Sequence, residues 1–237
     1  MRPPISFWSY SSLTTFEACP YRVWLDRIDK QPRPERDDDH PINRGLRVHK
    51  AIEDYITGQT TELTPDAKRY ADLCAELRAG YDDGKVEVEA AWWFTKDWTP
   101  CSPQSNDKWF VVKTDATQRL NDKTLLIVDW KTGKSFMKEV KHGGQMHLYA
   151  AAAFTKYPEI EETIIRLVYL DEAAPGKSKH YLRPQLVPFI RTYSRRGAQM
   201  MDDVQAGKFP PKPNKSNCKF CDFGPSHGTS ACAYGVE

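Results

Sequence analysis

The run Leu125-Leu126-Ile127-Val128 passes without a break into Asp129-Trp130-Lys131. A short apolar run of this kind reads as a buried strand, here Thr124–Lys131. Side chains at i and i+2 share a strand face, so Asp129 and Lys131 project together and Trp130 points away. Trp109–Leu120 is a second strand, and Asn121-Asp122-Lys123 is a natural turn between the two. With that three-residue loop Leu120 faces Thr124, and the ladder sets Asp115 directly opposite Asp129. Cross-strand neighbours lie roughly 4.5–5.5 Å apart at Cβ, where two carboxylates repel each other. A divalent cation between them removes the conflict, and oxygen ligands of this kind suit Mg²⁺ or Mn²⁺. The reading depends on register, because a one-residue slip turns the faces apart. A solvated hairpin with scattered charges is the alternative.

The pair has a chemistry. Phosphodiester hydrolysis needs a nucleophilic water and stabilisation of developing charge. A metal supplies both, and Lys131 can orient or deprotonate the water or neutralise phosphate charge. Thr132-Gly133-Lys134-Ser135 resembles the end of a phosphate-binding loop, but the position that must be glycine is Val128, so an ATP site is rejected.

The rest of the chain frames these strands. Residues 9–29 read as a helix with Ser9, Ser11 or Ser12 as N-cap, and Gln31–Pro41 as a loop. Asn43–Tyr55 and Pro65–Ala79 read as helices, the second closed by Gly80. Lys85–Phe94 alternates and carries valines and aromatics, which suits a strand. Lys96–Asp107 is a loop. A helix from about Val140 to Tyr157, a strand at Thr163–Leu170 and a last helix at about Gln185–Ala206 follow. The order is that of an α/β or α+β protein. Residues 1–206 form the expected main domain, and 207–237 a proline-, lysine- and cysteine-rich tail unable to build a core alone.

The chain of 237 residues has a formal net charge of only +2, so any nucleic-acid partner must be held by a local patch. No apolar run reaches the roughly 18–20 residues of a membrane span, and the N-terminus lacks a signal-peptide pattern. A cytoplasmic location is expected, where the six cysteines point to metal binding or packing before disulfides. Cys218-Lys219-Phe220-Cys221 has a spacing that lets two thiolates reach one metal, with Cys232 and Cys19 as further candidates. Cys74 and Cys101 have no partner spacing. Arg191 and Arg195, at i and i+4, share a face of the last helix, where a basic stripe can track phosphates. An ordinary solvated helix face is the alternative.

Several segments in order resemble a known family. They are Gly45-Leu46-Arg47-Val48-His49, Asp115, Asp129-Trp130-Lys131-Thr132-Gly133 and Gln145-Met146-His147-Leu148-Tyr149. The opening Ser9-Tyr10-Ser11-Ser12-Leu13 through Cys19-Pro20-Tyr21 joins them. Together they resemble the RecB-like branch of the PD-(D/E)XK nuclease superfamily, including its stand-alone CRISPR-associated and phage-encoded forms. The resemblance implies a central mixed sheet flanked by helices, with the cysteine-rich tail tied to the N-terminal helix. It implies that His49, Asp115 and Asp129 bind Mg²⁺ or Mn²⁺, with the Trp130 carbonyl as a further ligand, and that Lys131 is catalytic. Gln145 and Tyr149, one turn apart on one helical face, would contact the DNA strand. Cys19, Cys218, Cys221 and Cys232 would hold a 4Fe–4S cluster. The gap from Cys221 to Cys232 is longer than the family pattern and contains His227, so Zn²⁺ on the cysteines, with or without His227, is an alternative. Glu87 and Glu89 are lower-ranked candidates for another carboxylate.

The implied activity is a metal-dependent DNA exonuclease acting at DNA ends, in phage recombination, DNA repair or CRISPR-type processing. It would work alone, with a helicase or recombination partner, or as a homo-oligomer. A DNA-binding subunit with a decayed nuclease site is the competing reading.

Overall fold

The structure is a computed structural model, described for residues 5–38, 40–133, 139–172 and 177–237, with the backbone alone at 139–141 and 177. The elements run in chain order as β1 (Trp8–Ser9), α1 (Tyr10–Ala18), α2 (Pro20–Arg27), α3 (Pro41–Ile56), α4 (Pro65–Lys68) and α5 (Ala71–Asp82). Then come β2 (Val86–Thr95), β3 (Pro100–Cys101), β4 (Lys108–Asn121), β5 (Thr124–Lys131) and α6 (Glu139–Lys156). The chain closes with β6 (Glu162–Tyr169), β7 (Lys177–Leu182), α7 (Leu186–Gln205) and α8 (Lys215–Cys218).

The strands make one mixed sheet in the order β3-β2-β4-β5-β6-β7, with β1 lying parallel to β4. Only β5–β6 is parallel along the main path, and α6 is the crossover that joins those two strands. Strand β5 is central and buried on both faces. Leu125 and Ile127 join the core beneath α1, α6 and α7, while Leu126, Val128 and Trp130 join the core beneath α3, α4 and α5. This alternation is why the apolar run is continuous in sequence.

The β4–β5 register is the one inferred above: Ala116 faces Val128, Thr117 faces Ile127 and Arg119 faces Leu125. A bulge then sets Asn121 rather than Leu120 against Thr124, which shortens the turn to Asp122-Lys123. The ladder stops at Ala116–Val128, and farther along β4 the partners become Trp8 and Ser9 of β1, at Phe110 and Val111. Asp115 therefore sits at a fork in the sheet.

Several boundaries differ from expectation. The first helix breaks in two at Cys19, whose backbone is extended (φ −159°, ψ 100°) because the following Pro20 disfavours helical geometry there. Ser9 is the N-cap, in a reciprocal capping box with Ser12. Gly80 does not end its helix: it lies inside α5, where a Cβ would come within 2.7 Å of Val86. It is a close-approach glycine between α5 and β2. Strand β7 pairs antiparallel with β6 and had no counterpart in the sequence reading. Lys134 and Ser135 of the phosphate-loop lookalike lie outside the described residues.

The tail packs on α2. Cys221 and Phe223 form a small core with Leu25, joined by Tyr21, Trp24 and Cys232. Asn217 and Lys212 also donate to the carbonyls of Ala18 and Glu17 at the end of α1. No described helix is long and apolar enough to cross a membrane.

Candidate active site

Three elements converge at the fork. Helix α3 brings His49, β4 brings Asp115, and β2 brings Glu89, with ligand atoms all within 4.8 Å of one another. Among the described residues this is the only group of three or more such ligands so close. Gly45 lets α3 approach: a Cβ there would lie 3.2 Å from Thr132 just past β5. Arg44 fixes the same helix from beside it, donating to both oxygens of Asp171 at 3.0 and 2.6 Å and to Asp66 at 2.6 Å. Asp171 also accepts the Gly133 N–H at 2.7 Å, at a glycine with φ of 96°. The turn after Lys131 and the helix carrying His49 thus share one carboxylate.

Glu89 reaches the group through a backbone irregularity. Its φ is +50°, in the left-handed region that non-glycine residues seldom adopt. The β2–β4 ladder pairs Val88 with Ala116 and Ala90 with Thr114, skipping Glu89 and Asp115 between them. Glu87, by contrast, accepts from Tyr157 and Trp92, away from the group.

Asp115 lies 3.5 Å from His49 Nδ1, and its Oδ2 accepts the Trp130 N–H at 2.7 Å. Burial lowers the His49 pKa, but the hydrogen bond and charge of Asp115, with Asp129 and Glu89 behind it, outweigh burial and raise it. Burial and the Asp115 charge raise Glu89. Carboxylates crowd here, Glu89 and Asp115 with Asp129 behind them, and Lys113 opposes the rise at Glu89.

Asp129 and Lys131 form the adjoining half, on the face opposite Trp130 as the strand period requires. Asp129 is 2% exposed. Its Oδ1 accepts from the Tyr149 hydroxyl at 2.7 Å, and its Oδ2 lies 2.6 Å from Lys131 Nζ. That contact is an ion pair but not a well-aligned hydrogen bond, so Oδ2 is a buried oxygen without a hydrogen-bond partner. Burial raises the Asp129 pKa, with Lys131 opposing and Asp115 reinforcing the rise. Burial and Asp129 hold the Tyr149 hydroxyl well above its ordinary value. Gln145 accepts from Lys131 at 3.1 Å and donates to the Tyr149 hydroxyl at 2.7 Å.

The donor set fits a divalent cation. One imidazole and two carboxylates stand together, and a third, buried carboxylate, ion-paired to Lys131, stands alongside. The structure does not draw Asp129 into the close triad, and Glu89 takes that place. Tyr149 is buried and donates to Asp129 Oδ1. Arg191 and Arg195 lie exposed on α7.

The cysteines meet elsewhere. Cys19, Cys218, Cys221 and Cys232 all line one cavity of about 20 Å³, roughly the space of one water-sized sphere. All four are free thiols. Burial pushes the Cys221 thiol up, and Cys232 and Cys19 add to the rise against opposing contacts from the Phe223 backbone and Arg22. Their sulfurs do not form a group as close as the His49 triad. His227 lies outside this cavity, its ring stacked on Phe220 at 5.5 Å and lining a larger cavity. Arg183, just after β7, donates to the carbonyls of Tyr157, Ile160 and Phe154 beyond and within the end of α6.

The chain is similar to known proteins. A solved structure of a candidate exonuclease from Eubacterium rectale superposes with a TM-score of 0.53 at 14% identity, covering 92% of this chain and 86% of that one. An alkaline exonuclease of Laribacter hongkongensis gives a TM-score of 0.32 at 14% identity, covering 70% of this chain and 84% of that one. No curated protein matches. The family model described as the PD-(D/E)XK nuclease superfamily matches residues 7–226, nearly the whole chain. The mixed sheet, the fork that gathers its acidic side chains and this match identify the chain as a member of the PD-(D/E)XK nuclease superfamily.

Proposed function

We propose that the protein is a Mg²⁺- or Mn²⁺-dependent deoxyribonuclease that digests DNA from its ends. The observation that carries this reading is the triad of His49, Glu89 and Asp115 standing beside the buried Asp129–Lys131 pair. The triad and Asp129 would hold the cation, with the Trp130 carbonyl as a further oxygen. When bound, the metal supplies an acidified water and neutralises charge on the scissile phosphate.

The chain's own groups do the rest. Asp115 is fixed by the Trp130 N–H, so its carboxylate is held in place before a cation arrives. Tyr149 and Gln145 hold Asp129 and Lys131 in one hydrogen-bonded set. Lys131 Nζ is aimed across that set, where it can donate to a phosphate oxygen or orient the attacking water. Retention of the lysine and all the carboxylates favours a working centre over a decayed binding subunit. Arg191 and Arg195 offer an exposed phosphate-tracking face.

Residues 207–237 are proposed as a separate metal-bound appendage. Cys19, Cys218, Cys221 and Cys232 would hold either a 4Fe–4S cluster or a zinc ion and pin the tail to α2. The supporting observation is that all four line one cavity. A cell-internal setting and a role in DNA recombination, repair or CRISPR-type processing, alone, with a helicase or as an oligomer, are the corresponding biological proposals.

The test compares linear single-stranded, linear duplex and closed circular DNA with Mg²⁺, Mn²⁺ or chelator. Loss of linear DNA with metal, and survival of circles, is expected. Cutting of the circles at the same rate overturns the end-directed reading.

A further inference from the structure

A cavity of substantial size lies apart from the metal centre. It has a volume of about 730 Å³ and lies between α1, α2, the chain entering α3, and the tail. Four guanidiniums, of Arg22, Arg27, Arg33 and Arg36, line it against two carboxylates, Asp26 and Asp222. Asp26 takes Arg33 at 2.6 Å and Arg27 at 2.9 Å; Asp222 takes Arg36 at 2.6 Å and Arg22 at 3.6 Å. Each guanidinium has five donors, so the two acids satisfy only part of what the arginines offer. The excess charge is positive in a chain whose total is only +2.

The same cavity carries rings. Phe220 is 70% exposed and lies parallel to the His227 ring (8° between planes) with the Lys219 ammonium 5.4 Å from its centre. Phe7 also lines the cavity, its ring and that of Trp93 meeting edge-on. Surplus guanidinium charge beside exposed aromatic faces is the chemistry that holds an unpaired nucleic-acid strand, phosphates on the cations and bases on the rings. A duplex stacks its bases internally and offers nothing to Phe220.

Two of the elements that line the cavity also carry metal-site residues or pair with the strand that does. Ser9 lines the cavity and pairs with Val111, and Asp115 lies four residues farther along β4, about 13 Å at the usual strand rise. Ile42 lines it too, and His49 is two turns on along α3, about 10 Å away. At the roughly 3.4 Å spacing of stacked nucleotides, that is three or four nucleotides, and fewer if extended.

We propose that this cavity binds the unpaired end of a DNA strand a few nucleotides from the bond cut at the metal centre. This rests on the nuclease reading for the second site, but the binding itself is measurable without catalysis. Because Phe220 and His227 sit between Cys218 and Cys232, the cysteine-lined tail supplies one wall.

The probe is a fluorescein-labelled 12-nucleotide dT strand, with a blunt 12-base-pair duplex and poly-glutamate for comparison. Anisotropy is read on Lys131→Ala protein, which keeps the strand intact, without divalent metal. Phe220→Ala with Arg27→Ala, both at exposed positions, should weaken dT binding about tenfold or more and leave duplex binding within about twofold. Hydrolysis of a small phosphodiester by the same double variant in the otherwise native chain should be unchanged, which separates failure of this site from failure of the centre. A 5-iodouracil strand cross-linked to the undisturbed cavity should yield adducts on the peptides carrying Phe220 or Phe7. Unchanged dT affinity, equal loss for duplex, displacement by poly-glutamate at matched charge, or adducts mapping only to α7 would each overturn the proposal.

Discussion

The Trp130 N–H donates to Asp115 Oδ2 at 2.7 Å, across the point where β4 and β5 part. A backbone amide freed by the end of the ladder fixes the carboxylate that stands 3.5 Å from His49. Asp115→Asn keeps an oxygen for that amide and loses a metal ligand's charge, whereas Asp115→Ala loses both. We expect both variants to lose Mn²⁺ binding by titration calorimetry. Only the alanine should melt measurably lower, by about 1–3 kcal/mol, the cost of an unsatisfied buried donor. Equal melting of the two would show that the amide does not depend on Asp115.

Glu89 gives a sharper test because its neighbour is a control. Glu89→Gln should weaken Mn²⁺ affinity about tenfold and slow hydrolysis. Glu87→Gln, which touches Tyr157 and Trp92 instead, should change neither. Calorimetry and a turnover assay read both. If the two behave alike, Glu89 is not a ligand.

Proton competition follows from the raised pKa values of His49 and Glu89. Metal binds the deprotonated donors, so affinity should rise with pH up to the raised His49 pKa and level off above it. The slope is at most about tenfold per pH unit for each proton displaced. Stability of the metal-free protein runs the other way. A histidine with a raised folded pKa stabilises below its unfolded pKa, and that contribution is lost as pH rises through the folded value. A carboxyl with a raised folded pKa costs stability above its unfolded value, so Glu89 and the buried Asp129 act in the same direction. Melting curves with and without Mn²⁺ across this range should therefore diverge as pH rises. Parallel curves would contradict the shared site.

Much of this centre was legible in the sequence because strand period and hairpin register are rigid rules. An apolar run ending in Asp129-Trp130-Lys131 fixed which side chains share a face, and the ladder through Ala116 and Val128 kept the register inferred from it. Glu89 ranked low because plain alternation does not foresee a residue at φ +50°, and that distortion accompanies its place in the triad. Cys19 broke the first helix for a reason already in the sequence, the proline after it. Gly80 was misread because a terminator and a close-approach glycine look alike until the partner, Val86, is known. Strand β7 was missed because an edge strand reading Lys-Ser-Lys-His-Tyr-Leu carries little apolar signal. The arginine-lined cavity joins the N-terminal third of the chain to its tail, a pairing no local pattern reveals.

The cysteine proposal makes a separable prediction. Serine at Cys19, Cys218, Cys221 or Cys232 should lower the bound metal of anaerobically purified protein to background and lower its melting temperature. Serine at Cys74, a core thiol pushed by burial to about 12, or at Cys101 should leave the metal content unchanged. Iron with visible absorbance identifies a cluster; colourless zinc identifies a single ion. Metal-free protein with an ordered tail would overturn both.

The central claim is that Lys131 acts on a phosphate at a cation held by the neighbouring acids. The direct test is Lys131→Ala and Asp129→Ala protein assayed side by side for Mn²⁺ binding and for hydrolysis of linear DNA. Lys131→Ala should bind Mn²⁺ within a few-fold of the native protein yet lose about a hundredfold or more in hydrolysis, as expected when a positioned proton-transfer group is removed. Asp129→Ala should lose both. Native-level hydrolysis by the lysine variant, in protein shown to bind Mn²⁺, would place the chemistry elsewhere in the molecule.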